Sequence, residues 1–153
     1  MGENKMSNCI FCKIEKGEVP AKKIYESKYF FAILDAHPIV EGHCLLIPKR
    51  HYETIHKMNK EESLQFGEDC ITLAKMLKNY WPDLTIANSN GKFASQAVPH
   101  YHVHFIPRQE GDRLWDEDKS KISLDVSSGF ERLKPSKDEL EQLANKLIGD
   151  THE

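Results

Sequence analysis

Residues 98 to 108 read VPHYHVHFIPR and set histidines at alternate positions, His100, His102 and His104. On a strand, side chains two apart share a face. Such a strand turns three imidazoles to one side and Tyr101, Val103 and Phe105 to the other. One face then carries chemistry, and the other needs a layer of core behind it. No other feature constrains the fold as tightly.

The segments around it supply that layer. KKIYES and YFFAILDA are rich in β-branched and aromatic residues, and HCLLIPKR follows HPIVEG, so Pro38 and Gly42 punctuate strands joined by a loop. In NKEESLQFGEDCITLAKMLKNYW, Asn59 and Glu62 form a capping pair, and Phe66, Cys70, Ile71, Ala74, Leu77 and Trp81 recur at helical spacing. This predicts one long helix ended by Pro82. LTIANSN predicts another strand and GKFASQAVP a loop of small residues. Residues 109 to 133 are polar and read as loop. SKDELEQLANKLI closes the chain as an amphipathic helix with Ser136 and Glu139 as its capping box. Hairpins with segregated helices predict an α+β fold with a mostly antiparallel sheet.

A chain of 153 residues is expected to form one domain, burying roughly 68–70% of its unfolded surface. A net charge of −3 with 29% charged residues gives no basic footprint for duplex nucleic acid, although one nucleotide needs only a local groove. The opening MGENKMSNCIFCK shows no apolar leader core, and no apolar run reaches membrane-spanning length. The expected location is therefore the cytoplasm, with no membrane partner. Four cysteines in that setting read as thiols or metal ligands.

Three chemistries compete for the histidine strand. Scattered surface or core histidines are the plain reading for one isolated His, and three at strand spacing among apolar residues weigh against it. A catalytic zinc site could take His-x-His as two ligands, but the nearby acids Glu110 and Asp112 lie past the strand's end. In nucleophilic catalysis a neutral imidazole attacks phosphorus and forms a labile phosphoramidate, while a second ring contacts phosphate oxygens or the leaving group. Phosphoryl transfer is largely positioning and charge stabilisation, and the small-residue loop before the strand suits both.

QAVPHYHVHFIPR closely resembles the signature of the histidine triad (HIT) family, and the resemblance runs upstream through NSNGKFASQ, FFAILDAHPIVEGHCLLIPKRH and CIFCKIEKGEVPAKKIYE, covering residues 8 to 108. It implies a HIT-like fold, with a five-stranded sheet, a long helix packed on it and a C-terminal helix. It implies that His102 attacks the α-phosphorus of an NMP–X substrate, such as an AMP phosphoramidate or a diadenosine polyphosphate, giving a nucleotidyl-histidine that water resolves. His104 would bind phosphate and assist the leaving group, Gln96 and Ser95 would contact phosphate, and His100 would orient the site or hold a metal. Asp35, with Ala36 beside it, falls at the ribose position, and Ser89 and Asn90 fall where an Asn pair is common. Two positions depart from the pattern. Ser95 replaces a usual Gly, and Ala97 replaces a Ser or Thr hydroxyl. Trp115 is a candidate for closing the site, though its spacing differs from that of relatives, and a plain packing role is the alternative. The family's usual assembly implies a homodimer, and its substrates imply a purine nucleotide. A nucleotide-binding module with little turnover, acting through a protein partner, is the competing reading.

CIFC sets Cys9 and Cys12 at Cys-x-x-Cys spacing, a weak signal alone. A closed tetrahedral site needs two more ligands. The resemblance points to His51 and His100, which makes a structural zinc. The residues themselves also leave His37, His43 or His56 as a third ligand, or no metal.

Overall fold

The computed structural model describes residues 7–114 and 132–149. Five strands, β1 (Lys23–Glu26), β2 (Phe30–Leu34), β3 (Cys44–Pro48), β4 (Asp83–Ala87) and β5 (Val103–Arg108), form one sheet in the order β1-β2-β3-β5-β4. Every neighbouring pair is antiparallel. The α+β expectation therefore holds, and the sheet is antiparallel throughout.

The central runs FFAIL and CLLIP are buried along their whole length, because helices cover both sides of the sheet. Phe30, Ala32, Leu34, Cys44 and Leu46 face one layer, and Phe31, Ile33, Leu45 and Ile47 face the other. Each of these Phe, Leu and Ile side chains contributes roughly 1.5–3 kcal/mol by leaving water.

The first layer holds α2 (Lys60–Lys78) and α3 (Lys137–Gly149). The predicted cap of α2 is present: Asn59 Oδ1 accepts from the Glu62 N–H, and Glu62 Oε1 accepts from the Asn59 N–H. Leu73, Met76 and Leu77 are buried from this helix, with Phe66 and Cys70 packed beside them. Ile71 is exposed, because it stands one residue, about 100°, around from Cys70. The helix also ends at Lys78, short of Pro82. The chain turns there, with the Tyr80 N–H donating to Leu77 O, and this frees Trp81 to cover Gly42. Gly42 has φ +89°, and a Cβ on it would lie 2.5 Å from the Trp81 ring. From α3, Ala144 and Leu147 join the same core. Its predicted capping box is also present, as the Glu139 N–H donates to Ser136 Oγ and the Ser136 N–H to Glu139 Oε1.

The second layer is built on α1 (Ile10–Glu15), whose Phe11, Cys12 and Ile14 pack with Cys9 against β2 and β3. β5 begins at Val103, so His100 and His102 precede the strand instead of lying within it. There the Tyr101 N–H donates to Tyr52 O, so the backbone pairs with the loop after β3. The alternation survives this change. Tyr101, Val103 and Phe105 sit in the helix-side core, and the histidines face the α1 side. No described helix is long and apolar enough to cross a membrane. The expected loop over residues 109 to 133 and the candidate Trp115 fall mostly or wholly outside the described residues.

Candidate active site

A cavity of about 770 Å³ opens on the α1 side of the sheet. His102 and His104 form part of its wall, with Phe11, Asp35, Asn88 and Arg132 among the other lining residues. The rings of His102 and His104 stand 5.1 Å apart.

Hydrogen bonds set the protonation of each ring. His102 Nδ1 lies 2.8 Å from the carbonyl of His100, an acceptor, so Nδ1 carries the proton and Nε2 keeps its lone pair. The same residue's carbonyl accepts from Asn88 Nδ2 at 2.8 Å, and the Phe11 ring packs edge-on against the imidazole at 5.2 Å. Burial lowers the pKa of His102, which favours the neutral ring a nucleophile requires.

His104 takes its tautomer from His43. The Ile39 N–H donates to His43 Nδ1 at 3.1 Å, leaving the proton on His43 Nε2. That Nε2 lies 2.9 Å from His104 Nδ1 and donates to it. His104 Nδ1 is thus an acceptor, and its proton must sit on Nε2. Burial and neighbouring positive charge push both His43 and His104 down to about 3. Asp35 Oδ2 lies 3.8 Å from His43 Nε2, but this is a contact and not an ion pair, since both nitrogens of the neutral ring are already engaged.

Asp35 lines the cavity and accepts from the His37 N–H at 2.9 Å. Burial raises its pKa, opposed by that N–H and by the Arg132 guanidinium. Ser89, Ser95, Gln96 and Ala97 also line the cavity. Gln96 lies at the wall with its amide engaged by backbone. Its Oε1 accepts from the Gly91 N–H, and its Nε2 donates to Glu53 O and Val98 O. It therefore fastens the loop between β4 and the triad. Ser95 in that loop has φ +63°, a left-handed conformation that suits glycine better. Ala36 is exposed and Asn90 is turned away, its Oδ1 accepting from the Ile55 N–H and its Nδ2 holding Asn88 Oδ1. Neither reaches the described cavity wall. Asn88 does, in Asn90's stead.

His100 also leaves the cavity. Its Nε2 lies 2.9 Å from Pro48 O and so carries the proton, which turns the Nδ1 lone pair toward Cys9 Sγ at 3.2 Å and Cys12 Sγ at 3.6 Å. His51 Nδ1 lies 3.0 Å from His100 Nδ1 and 3.3 Å from Cys12 Sγ. These four donor atoms all fall within 4.8 Å of one another. The edges of a tetrahedral zinc site with thiolate and imidazole ligands measure about 3.3–3.8 Å, and the four contacts of 3.0–3.6 Å lie close to that range, so two thiols and two imidazoles here suit that ion. A metal-binding imidazole commonly donates its other ring N–H to a carbonyl, as His100 does to Pro48 O. Without a cation, burial and Cys9 push the Cys12 thiol up to about 12, and a bound divalent ion is what would make it a thiolate. The alternative ligands are elsewhere: His43 is bound to His104, and His37 and His56 are exposed.

The sequence reading missed His43 as a partner of the triad, and also Arg132, Asn88, Phe11 and Phe93 at the cavity. One signal was available for His43. In GHCLLIP it alternates with Leu45 and Ile47, the residues that face α1.

Known proteins resemble this chain in sequence and in fold. The HIT domain family profile matches residues 16–111. An uncharacterized HIT-like protein of Methanocaldococcus jannaschii is 45% identical over 105 residues, covering 68% of this chain and 81% of the relative. Adenosine 5'-monophosphoramidase HNT1 of Saccharomyces cerevisiae is 41% identical over 104 residues, covering 67% and 63%. Among solved structures, a Zn-bound histidine triad family protein from Mycobacterium smegmatis superposes with a TM-score of 0.73 at 29% identity, covering 94% of this chain and 96% of that one. The chain belongs to the HIT domain family.

Proposed function

We propose that the protein hydrolyses or transfers the nucleotidyl group of NMP–X substrates, AMP phosphoramidate or a diadenosine polyphosphate, with His102 as the nucleophile. The observation that carries this reading is the pair of opposite tautomers in one cavity, with a lone pair on His102 Nε2 and a proton on His104 Nε2. His102 Nε2 forms a bond to the α-phosphorus as the bond from phosphorus to X breaks. The imidazolium so formed keeps its Nδ1–H on the His100 carbonyl, which stabilises the positive charge. X leaves as an anion or takes a proton from solvent. His104 donates a hydrogen bond from Nε2 without surrendering the proton, since its Nδ1 is already occupied by His43. Water then attacks phosphorus and releases a proton to solvent, the P–N bond breaks, and NMP leaves with His102 neutral again.

Asp35 is suited to the ribose hydroxyls, as an acceptor at the cavity wall, and Ser89 lines the same cavity. Ser95 and Gln96 shape the loop that meets the phosphate. Cys9, Cys12, His51 and His100 would hold a structural zinc. Bound there, the ion would supply cross-linking and charge, and its ligands would tie the start of α1 to the backbone that carries His102. A homodimer is the proposed assembly, supported by Ile86 and Phe93, which stand exposed at the open edge formed by β4 and its following loop. Cysteines free of disulfides suit the cytoplasm.

The relative named adenosine 5'-monophosphoramidase makes AMP phosphoramidate the first substrate to try. AMP release should fall by about 10³-fold or more in His102→Ala. Release that persists in that variant, in folded protein, would remove His102 from the role. A nucleotide-binding module would instead bind AMP and release nothing from either substrate.

A further inference from the structure

Residues 132 and 133 cross the loop that follows β2. The Arg132 guanidinium donates to His37 O at 3.4 Å, and the Leu133 N–H donates to Pro38 O at 2.9 Å. This crossing puts Arg132 into the cavity wall with Asp35, His102 and His104. It is the one Lys or Arg among the described lining residues, and it lies beyond residue 111, where the family match stops.

The charge balance of the cavity makes this position consequential. Asp35 brings negative charge to the wall. His43 and His104 supply none of the opposite sign near neutral pH, since both are held down at about 3. A nucleotide entering such a site carries at least one negative charge on phosphorus. In a recess walled partly by apolar Phe11, Leu45 and Val98, that charge is less screened than in bulk water. A guanidinium stays charged throughout the working pH range and offers a planar fork of donors that matches phosphate oxygens.

We infer that Arg132 is a specificity-determining residue of this site, binding the phosphate oxygens of the nucleotide and favouring substrates whose leaving group is anionic over those that release an amine. This rests on the nucleotidyl-transfer reading above for its substrate. It gives the C-terminal extension a part in recognition that the HIT core does not supply.

The test compares wild type with Arg132→Gln, which keeps reach and loses charge, and Arg132→Lys, which restores the charge. Calorimetry measures binding of adenosine and AMP, and steady-state kinetics measures kcat/KM for AMP joined to sulfate and AMP joined to ammonia. Arg132→Gln should weaken AMP about tenfold and leave adenosine within about twofold, with partial recovery in Arg132→Lys. Its kcat/KM should fall about fivefold further for the sulfate substrate than for the amide.

Equal losses for adenosine and AMP would mean that Arg132 only fastens the crossing segment, and would overturn the inference. Wild-type behaviour in Arg132→Gln would overturn it as well, and so would equal kinetic losses on the two substrates. Charge-dependent AMP binding without turnover of either substrate would sink the hydrolase reading and leave the phosphate contact standing. Wild-type protein that binds neither adenosine nor AMP would overturn both.

Discussion

The pair formed by His43 and His104 makes stability depend on pH in a calculable way. Both rings are neutral in the fold, with pKa values lowered to about 3, whereas an unfolded histidine titrates near 6.5. Between those values the unfolded chain binds protons that the folded chain does not. Stability is therefore fully present above about pH 6.5 and is lost as pH falls toward 3, at about 1.4 kcal/mol per pH unit for each histidine. Going from about pH 7 to pH 5, one such ring costs about 2 kcal/mol, and two titrating independently cost about 4. His43→Asn removes one titrating group while an amide oxygen still meets the Ile39 N–H that His43 Nδ1 accepts now. Urea unfolding followed by circular dichroism, at equal metal content, gives ΔG at each pH for both proteins. The variant should start about 1–3 kcal/mol lower at neutral pH, having lost the bond to His104. Its slope below pH 6.5 should be flatter by about 1.4 kcal/mol per unit. Parallel slopes would show that His43 is protonated in the fold and would refute the tautomer chain running from Ile39 to His104.

Three further substitutions probe other parts of the site. Ser95→Gly relieves the φ of +63° and should raise stability by about 0.5 kcal/mol in urea melts; a loss would mean that the hydroxyl matters more than the backbone. Gly42→Ala drives a Cβ to 2.5 Å from the Trp81 ring at φ +89° and should cost about 2 kcal/mol or more, read from the same melts. Cys12→Ser should abolish zinc retention in metal analysis and lower the thermal midpoint by about 10 °C. AMP release at a temperature where it stays folded should remain within about threefold of wild type; activity lost in proportion to metal would instead make the ion catalytic.

Much of this arrangement was legible in the residues because it follows short-range rules. The alternation of His100, His102 and His104 correctly placed them opposite Tyr101, Val103 and Phe105, even though the strand begins only at Val103. The caps at Asn59 and Ser136 depend on residues three apart and were equally plain. What the residues concealed depends on distant chain or on backbone atoms. His43 meets His104 across 61 residues of sequence. The resemblance, and not the spacing, points His100 to the cysteine pair with His51; the carbonyls of Pro48 and His100 are what turn it there and leave the other two histidines in the cavity. Ile71 and Trp81 misled because their spacing fitted a helical stripe, while the cover over Gly42 drew Trp81 out of the helix. Arg132 carries no local signal, since only its crossing of residues 37 and 38 brings it to the cavity.

Intact-protein mass spectrometry after rapid quenching without acid, on protein mixed with AMP phosphoramidate, bears most directly on the nucleophile. Wild type should show an added adenylyl group together with AMP release, and His102→Ala should show neither. AMP released by folded His102→Ala, or an adduct that maps to another residue, would contradict the assignment of His102.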